Sequence, residues 1–312
     1  MAKKKTAPQQ PTTPPDFKAG YVAMIGKPNV GKSTLLNHLV GQKVSIVSNK
    51  PQTTRRRVLG IASGDNYQIA IIDTPGVHEP HTRLGRSMVD QARSALGDID
   101  LILYVTDISK MPNEEDKEIA RMLRTPEGEK AIPRVLCFNK MDLLRADQVV
   151  DHVEAYCKLI GTEDYMMTSA TKNQNVDKLI EMILEKLPIG ERMFDEDEFT
   201  DQSSRFMAGE LVREKILVAT RQEIPHATAV FVEEWEDTGD LVRIHATIYV
   251  EKSSQRAIII GKKGEFLKKI GTEARQEIEA LLGKRVFLEL FVKVSEDWRM
   301  NPRVLRELEY SE

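Results

Sequence analysis

Residues 26–33 read Gly26-Lys27-Pro28-Asn29-Val30-Gly31-Lys32-Ser33, a complete G-x-x-x-x-G-K-S. It lies between the apolar run Tyr21 to Ile25 and the amphipathic stretch Lys32 to Val40. A strand, a glycine loop and a helix in that order form a cradle in which backbone N–H groups and a helix N-terminus face phosphate oxygens. Gly26 and Gly31 let the backbone wrap the anion, Lys32 supplies a point charge, and the Ser33 hydroxyl suits Mg²⁺. A strand-loop-helix opening of this kind commits the first half of the chain to a phosphate-binding α/β sheet.

The rest of that half agrees. Near-continuous Val/Ile/Leu runs at Gln68 to Ile72, Leu101 to Val105 and Val135 to Phe138 read as strands buried on both faces. Amphipathic segments at Gly85 to Leu96, Glu114 to Leu123, Ala146 to Ile160 and Val176 to Leu187 alternate with them. The fold class expected is therefore an α/β P-loop domain with a doubly wound, mostly parallel sheet.

Each run ends in polar residues placed for chemistry. Asp73-Thr74-Pro75-Gly76 closes the second run, where a carboxylate can hold Mg²⁺ through water and the Gly76 amide can approach a terminal phosphate. In the polar loop Pro51 to Arg57, Thr53 or Thr54 could reach the metal only while that phosphate is present. Asn139-Lys140-Met141-Asp142 follows the run Val135 to Phe138. The Asp142 carboxylate can accept from guanine N1–H and N2–H, a donor pair that adenine lacks. Lys140 would lie along base and ribose, and Asn139 would brace the P-loop. Thr168-Ser169-Ala170 can offer a backbone amide to the guanine O6. The nucleotide-binding residues expected are thus 26–33 with Thr34, then Asp73, Thr74, Pro75, Gly76 and Val77, then Asn139, Lys140, Met141 and Asp142, and finally Ser169 and Ala170.

After Pro188-Ile189-Gly190 comes an acidic stretch, and the order of elements changes. A helix from Ala208 to Thr220, strands Thr228 to Trp235 and Leu241 to Val250, helices Ser253 to Ile260 and Glu265 to Leu282, and a strand Arg285 to Val294 make a small α+β domain of order αββααβ. The two later helices are joined by Gly261-Lys262-Lys263-Gly264, a G-x-x-G clamp of the kind that grips single-stranded RNA phosphates. Six basic residues between Lys252 and Lys269 face Glu265 alone, so the patch is basic although the whole chain carries a net charge of −3. The RNA contacts expected are Arg256, Ile259, Gly261, Lys262, Lys263, Gly264 and Lys268, with bases resting on an apolar groove formed by Ala257 to Ile260 and Leu241 to Val250.

The expected division is a disordered Lys/Pro-rich tail over 1–17, a nucleotide-binding domain over 18–190, an acidic linker over 191–205, and an RNA-binding domain with a C-terminal helix over 206–312. Cys137 and Cys157 are the two cysteines, a usage that fits a reducing compartment. No apolar run approaches the roughly 20 residues of a membrane span, so the expected location is cytoplasmic. The six histidines are scattered; His78 and His81 lie close together but without a second soft ligand.

With these motifs in order, the chain from about Gly20 onward resembles the translation-factor-like small GTPases, and within them those that carry a KH domain. The linker Phe199-Thr200-Asp201 and the segment Val212-Arg213-Glu214-Lys215 also match that pattern; the N-terminal tail does not. The resemblance implies GTP/GDP and Mg²⁺ as cofactors, with Ser33, Thr54 and Asp73 around the metal and Lys32, Thr54 and Gly76 serving catalysis. It implies a role in small ribosomal subunit assembly through the 16S rRNA 3′ region, peripheral contact with the inner face of the cytoplasmic membrane, and a monomer. Ras-like enzymes place a water-orienting Gln where this chain has Val77, so intrinsic hydrolysis is expected to be slow. Asn29 matches the P-loop Asn that helps relatives bind a monovalent cation, which makes K⁺ a further candidate. A P-loop kinase with a substrate domain is the competing reading, and Asp142 speaks against it.

Overall fold

The computed structural model describes residues 14–76, 82–125, 131–221 and 223–310. Val77, His78 and His81, most of the expected tail, and the last two residues lie outside them.

The first domain is a six-stranded sheet of order β2-β3-β1-β4-β5-β6. Its elements, in chain order, are β1 (Lys18–Ile25), α1 (Lys32–Val40), β2 (Val58–Gly64), β3 (Tyr67–Asp73), α2 (Arg83–Ser94), β4 (Leu101–Asp107), α3 (Glu114–Met122), β5 (Arg134–Asn139), α4 (Val149–Ile160), β6 (Tyr165–Met167) and α5 (Val176–Lys186). All neighbours pair in parallel except β2, which runs antiparallel to β3 at the edge. The strands β1 and β4 bury nearly every residue, as the apolar runs require, because helices cover both faces. One core lies under α1 and α5, the other under α3 and α4. Strand order reverses at β1, which has β3 on one side and β4 on the other, so the P-loop sits at the topological switch point.

Local signals set several boundaries. Gly41, at φ 76°, ends α1, and its amide donates to the Asn37 carbonyl. Asn113 and Asp116 form a reciprocal capping box at the start of α3. The edge strand β2 is not legible in the sequence: its Gly60 and Gly64 break the apolar run, and pairing with β3 supplies the order that the run lacks.

Two expected boundaries move. Phe17, assigned to the tail, is fully buried beneath the Arg192 guanidinium, and its carbonyl accepts from Gly190 N. The acidic stretch is stitched to the first domain: Gln68 exchanges hydrogen bonds with Met193 and Phe194, Thr200 Oγ1 donates to Leu59 O, and Ile61 N donates to Phe199 O. Backbone pairing along β2 and β3 offsets the carboxylate crowding that suggested a free linker.

The second domain contains α6 (Ser204–Ala219), α7 (Ile224–Ala227), β7 (Ala229–Asp237), β8 (Leu241–Val250), α8 (Ser253–Ile260), α9 (Glu265–Leu282), β9 (Arg285–Val294) and α10 (Pro302–Glu307). The sheet order is β7-β8-β9, with β8 antiparallel to β7 and parallel to β9. Helices α6, α8 and α9 pack on one face over Ile244, Ile248, Ile259, Ile270 and Ile278. The helix α6 starts four residues before the expected Ala208, because Ser203 caps it by accepting from Phe206 N.

The two domains interlock. Leu84 and Met88 of α2 pack with Trp298, Leu305, Leu308 and Tyr310 in a fourth core, so the C-terminal segment joins the domains rather than closing the second one alone. Lys43 pairs with Glu214 and Glu277 at 2.6 Å each, and Val47 N donates to Glu214 at 2.8 Å.

Candidate nucleotide and RNA sites

The P-loop has the geometry that its glycines imply. A Cβ on Gly26 would stand 2.1 Å from the Val105 carbonyl oxygen, and Gly31 combines φ 100° with an approach of 2.3 Å to Asn139 Nδ2. Asn139 therefore braces the loop as expected: Nδ2 donates to Val30 O at 2.8 Å, and Oδ1 accepts from Ala170 N at 2.9 Å. One side chain thus ties the phosphate loop to the loop expected to meet the base. Lys140 extends the brace, donating to Asn29 O at 2.8 Å and pairing with Asp107 at 3.0 Å.

Lys32 is buried, and its ammonium donates to the Gly26 and Lys27 carbonyls at 2.9 Å each. Burial lowers its pKa to about 8, with Asp73 opposing the shift. Burial likewise raises the Asp73 carboxyl above its ordinary value, against Lys32 and hydrogen bonds from Ser33, Thr54 and Ser45.

Ser33 Oγ lies 2.8 Å from both Thr54 Oγ1 and Asp73 Oδ2, and Thr54 Oγ1 lies 3.4 Å from Asp73 Oδ2. Asp73 Oδ1 is buried with no hydrogen-bond partner among the described residues. Three hard oxygens converging beside an unsatisfied carboxylate oxygen form a donor set that fits Mg²⁺. The structure also separates the two threonines: Thr54 faces this cluster, while Thr53 is buried against Ser48 Oγ and Lys50 O. Thr74 donates to Met24 O, which anchors the turn before Gly76. A Cβ on Gly76 would stand 2.6 Å from Pro28 N, so glycine is required where this turn meets the P-loop. Pro28, Asn29, Ser33, Thr34, Thr54 and Gly76 share one pocket of about 50 Å³. Ligand clefts occupy roughly 300–1,000 Å³, so residues 46–54 lie closed over the P-loop.

Asp142 carries a Lys172 ammonium at 3.3 Å. Its carboxyl is held below the usual range, first by the Ser169 hydrogen bond and then by Lys172. It is thus an anionic acceptor at neutral pH, as guanine recognition needs.

The Lys27 ammonium is held by Asp116 at 2.5 Å and Asn113 at 3.1 Å, which leaves Lys27 the backbone role expected of it. Two expectations require correction. The Ala170 amide does not stand free for a base oxygen, since Asn139 Oδ1 accepts it. Ile259 is fully buried in the second core and cannot touch RNA; α8 turns its neighbour Ile258 outward instead, 53% exposed.

The other expected RNA contacts share one exposed surface. Arg256, Lys262, Lys263 and Lys268 are solvent-exposed around the turn between α8 and α9. Gly261 has φ 70° and would place a Cβ 2.6 Å from that of Phe266, and Gly264 has φ 81°. Both glycines let the backbone turn in the open. The expected apolar floor shifts, however: β8 is central and hydrogen-bonded on both sides, so the sheet edge available to a strand of RNA on the α8 side belongs to β9.

Sequence reasoning gave no structural role to Arg55, which proves to be an interdomain anchor. It is 2% exposed, donates to the carbonyls of Pro225, His226 and Thr228, and lies under the Trp298 and Tyr310 rings. Arg213 of α6 answers it by donating to Thr53 O while pairing with Glu210. The matching signal was the three-arginine run after Thr54, which reads as solvated until its neighbours are known.

Similarity to known proteins follows the same layout. Residues 21–140 match the family described as 50S ribosome-binding GTPase, and 223–299 match the KH domain. The chain is 44% identical over 298 residues to GTPase Era of Heliobacterium modesticaldum, covering 95% of this chain and 98% of that one. It is 46% identical over 297 residues to GTPase Era of Geobacter metallireducens, covering 95% and 98%. Among solved structures, Era in complex with MgGDPNP and nucleotides 1506-1542 of 16S ribosomal RNA superposes with a TM-score of 0.90 at 42% identity, covering 95% of this chain and all of that one. An Aquifex aeolicus Era variant bound to GDP and AlF4⁻ gives 0.89 at 42% identity, with the same coverage. With a P-loop domain at a switch point, a KH domain after it and likeness along 95% of its length, the chain belongs to the Era family of GTPases.

Proposed function

We propose that this chain is a GTP-hydrolysing switch that holds the 3′ region of 16S rRNA through its KH domain and assists assembly of the small ribosomal subunit. The observation that carries the reading is the position of loop 53–55: Thr54 sits in the metal-binding cluster while Thr53 and Arg55 are bonded to the second domain. A change at the phosphates is thereby felt at the RNA-binding domain. The relative solved with MgGDPNP and 16S ribosomal RNA supports carrying the ligand set over.

In this reading residues 18–203 bind GTP and residues 204–310 bind RNA. The backbone of 26–31 and the Lys32 ammonium hold the phosphates, Ser33, Thr54 and Asp73 hold Mg²⁺, and Asp142 selects guanine. Bound Mg²⁺ supplies positive charge against the phosphate oxygens. Gly76 brings its amide close to the terminal phosphate, and residues 46–54 open to admit nucleotide. Val77 has no polar atom on its side chain to orient water, so unassisted turnover is slow and rises when a partner supplies the missing group. Asn29 serves a K⁺ ion beside the phosphates; exchange of Na⁺ for K⁺ that leaves turnover unchanged removes that assignment. The protein works as a cytoplasmic monomer with reversible contact at the inner membrane face, which sedimentation and cell fractionation test. The region around 261–264 grips RNA phosphates, and Arg256 and Lys268 neutralise them.

The decisive experiment is crosslinking of the purified chain to total RNA with GTP or GDP bound, mapped to the nucleotide. Enrichment of the small-subunit 3′ end, differing between the two nucleotides, is expected. Uniform recovery across unrelated RNAs rejects the RNA assignment, and ATP competing with GTP at equal concentration rejects the guanine assignment.

A further inference from the structure

Four acidic residues lie on α3, and of these Asp116 alone is buried. Its Oδ1 accepts from the Tyr104 hydroxyl of β4 at 2.7 Å, and its Oδ2 accepts from Asn113 N at 2.8 Å. Oδ2 also receives the ammonium of Lys27, the second residue of the phosphate loop, at 2.5 Å and from 89 positions earlier in the chain. Burial, then the charge of Asp116, raise the Tyr104 hydroxyl well above its ordinary value, so it acts as a donor only. The helix has no need of Lys27, because Asn113 and Asp116 complete the capping box between themselves. Nor does stability account for the pair, since apolar groups of similar volume often replace a buried ion pair without loss.

What the pair reaches is the loop backbone. Lys32 Nζ donates to the Gly26 and Lys27 carbonyls at 2.9 Å each, and these carbonyls belong to the two peptide units that meet at Lys27. At its far end the loop is tied by Asn139, the last residue of β5, which donates to Val30 O. Between the two ties, Gly26 lies against the Val105 carbonyl and Pro28 N against Gly76. A buried polar side chain therefore holds each end of the loop, and Lys27 is the handle at the first. We propose that Asp116 is a positioning residue for the nucleotide phosphates: through Lys27 it fixes the two peptide units that hold the Lys32 ammonium, so that the loop meets a β-phosphate already in its binding shape. The inference rests on the phosphate-loop assignment above and adds to it a residue that touches no ligand. A loop held in shape loses less conformational freedom when phosphates arrive, and the gain is confined to ligands long enough to reach it.

The test is competition against a fluorescent GDP analogue in the presence of Mg²⁺, comparing GDP with GMP, which lacks the β-phosphate. It is run on the full chain and on Asp116→Asn, Lys27→Met, the two combined, and Lys27→Arg. Each of the first two variants is expected to weaken GDP about tenfold and GMP by less than about twofold, and to raise KM for GTP about tenfold with kcat within about threefold of the parent. The combined variant is expected to be no weaker than either alone, because a single tether is lost in all three. Lys27→Arg keeps a cation on Asp116 and is expected to bind GDP within about threefold of the parent. Ile119→Val trims the buried core side of the same helix; it is expected to lower the melting temperature and leave the ratio of GDP to GMP affinity unchanged. Unchanged GDP affinity in Lys27→Met overturns the inference, even where Asp116→Asn does not fold. Equal losses of GDP and GMP overturn it as well, since a merely loosened fold gives that result, and so does a selective GDP loss in Ile119→Val. If Lys32→Ala binds GDP as tightly as the parent, the phosphate-loop assignment itself fails and the inference falls with it.

Discussion

Thr54 and Arg55 are neighbours in the chain and committed to different domains. Thr54 Oγ1 lies 2.8 Å from Ser33 Oγ in the phosphate loop, whereas the Arg55 guanidinium donates to Thr228 O at 2.6 Å beneath the ring of Trp298. A single peptide unit separates the proposed metal-binding cluster from the second domain. Motion that carries Thr54 toward or away from a metal therefore pulls on a buried cation whose alternatives are few.

Replacing Arg55 tests that linkage. Burial, then the neighbouring Arg213, lower its pKa to about 10, so it is still charged at neutral pH; its two terminal nitrogens donate to three carbonyls, while Nε is buried with no hydrogen-bond partner among the described residues. Arg55→Ala orphans those carbonyls and is expected to cost about 3 kcal/mol in urea unfolding. Arg55→Lys keeps the charge but loses the fork, and is expected to recover less than half of that. A variant as stable as the parent contradicts the anchor.

Guanine selection should reverse at Asp142. In Asp142→Asn the carboxamide offers an N–H where guanine presents a second donor, which is expected to lower GTP affinity about a hundredfold, or about 2.7 kcal/mol. Xanthosine triphosphate has a carbonyl at that place and should gain affinity in the same variant. Isothermal titration with both nucleotides measures the exchange.

Lys32→Ala should abolish most nucleotide-dependent stabilisation. The parent is expected to melt several degrees higher with saturating GDP and Mg²⁺, through binding to the folded state alone. The variant is expected to show a small fraction of that shift and a matching loss of turnover, since the same ammonium serves ground state and transition state.

His226 gives the domain junction an acid limit. Burial, then Arg55 and Arg299, hold its pKa below the ordinary 6.5; Lys50 acts in the same direction and Glu223 opposes. The unfolded chain therefore takes up this proton more readily than the native one. Stability is full above about 6.5 and declines as pH falls from there through the lower native value. Melting curves between pH 7.5 and 5.5 should show the decline, and His226→Gln should flatten it. A parent whose melting point rises on acidification has the opposite linkage.

Salt dependence reports the KH turn. If about four phosphates are held there, log affinity for single-stranded RNA falls with log salt at a slope near −3, and Lys262→Ala with Lys263→Ala should reduce that slope by about 1.4. A flat response in the parent removes the clamp.

Much of the site was legible because its residues are fixed by local rules. A glycine at φ 100° and a lysine beside it need no distant information, and the strands β4 and β5 announce themselves by burial on both faces. Ile259 is misplaced by sequence reasoning because its neighbours Ile258 and Ile260 are equally apolar, and only helix phase against the second core says which one turns inward. Ala170 escapes it for a similar reason: its partner, Asn139, is remote in sequence.

Residue type at short spacing is enough for the phosphate loop, for an acid at Asp142 placed to read guanine as proposed, for the order of both domains and for the basic turn at 261–264. Long-range contacts fix which threonine faces Ser33 and Asp73, that Arg55 is buried rather than solvated, and that arginines from α2 and α10 line a common cleft. The physical reason is that burial and charge pairing depend on groups far apart in the chain; these arginines lie more than two hundred residues apart and become neighbours only when the domains dock.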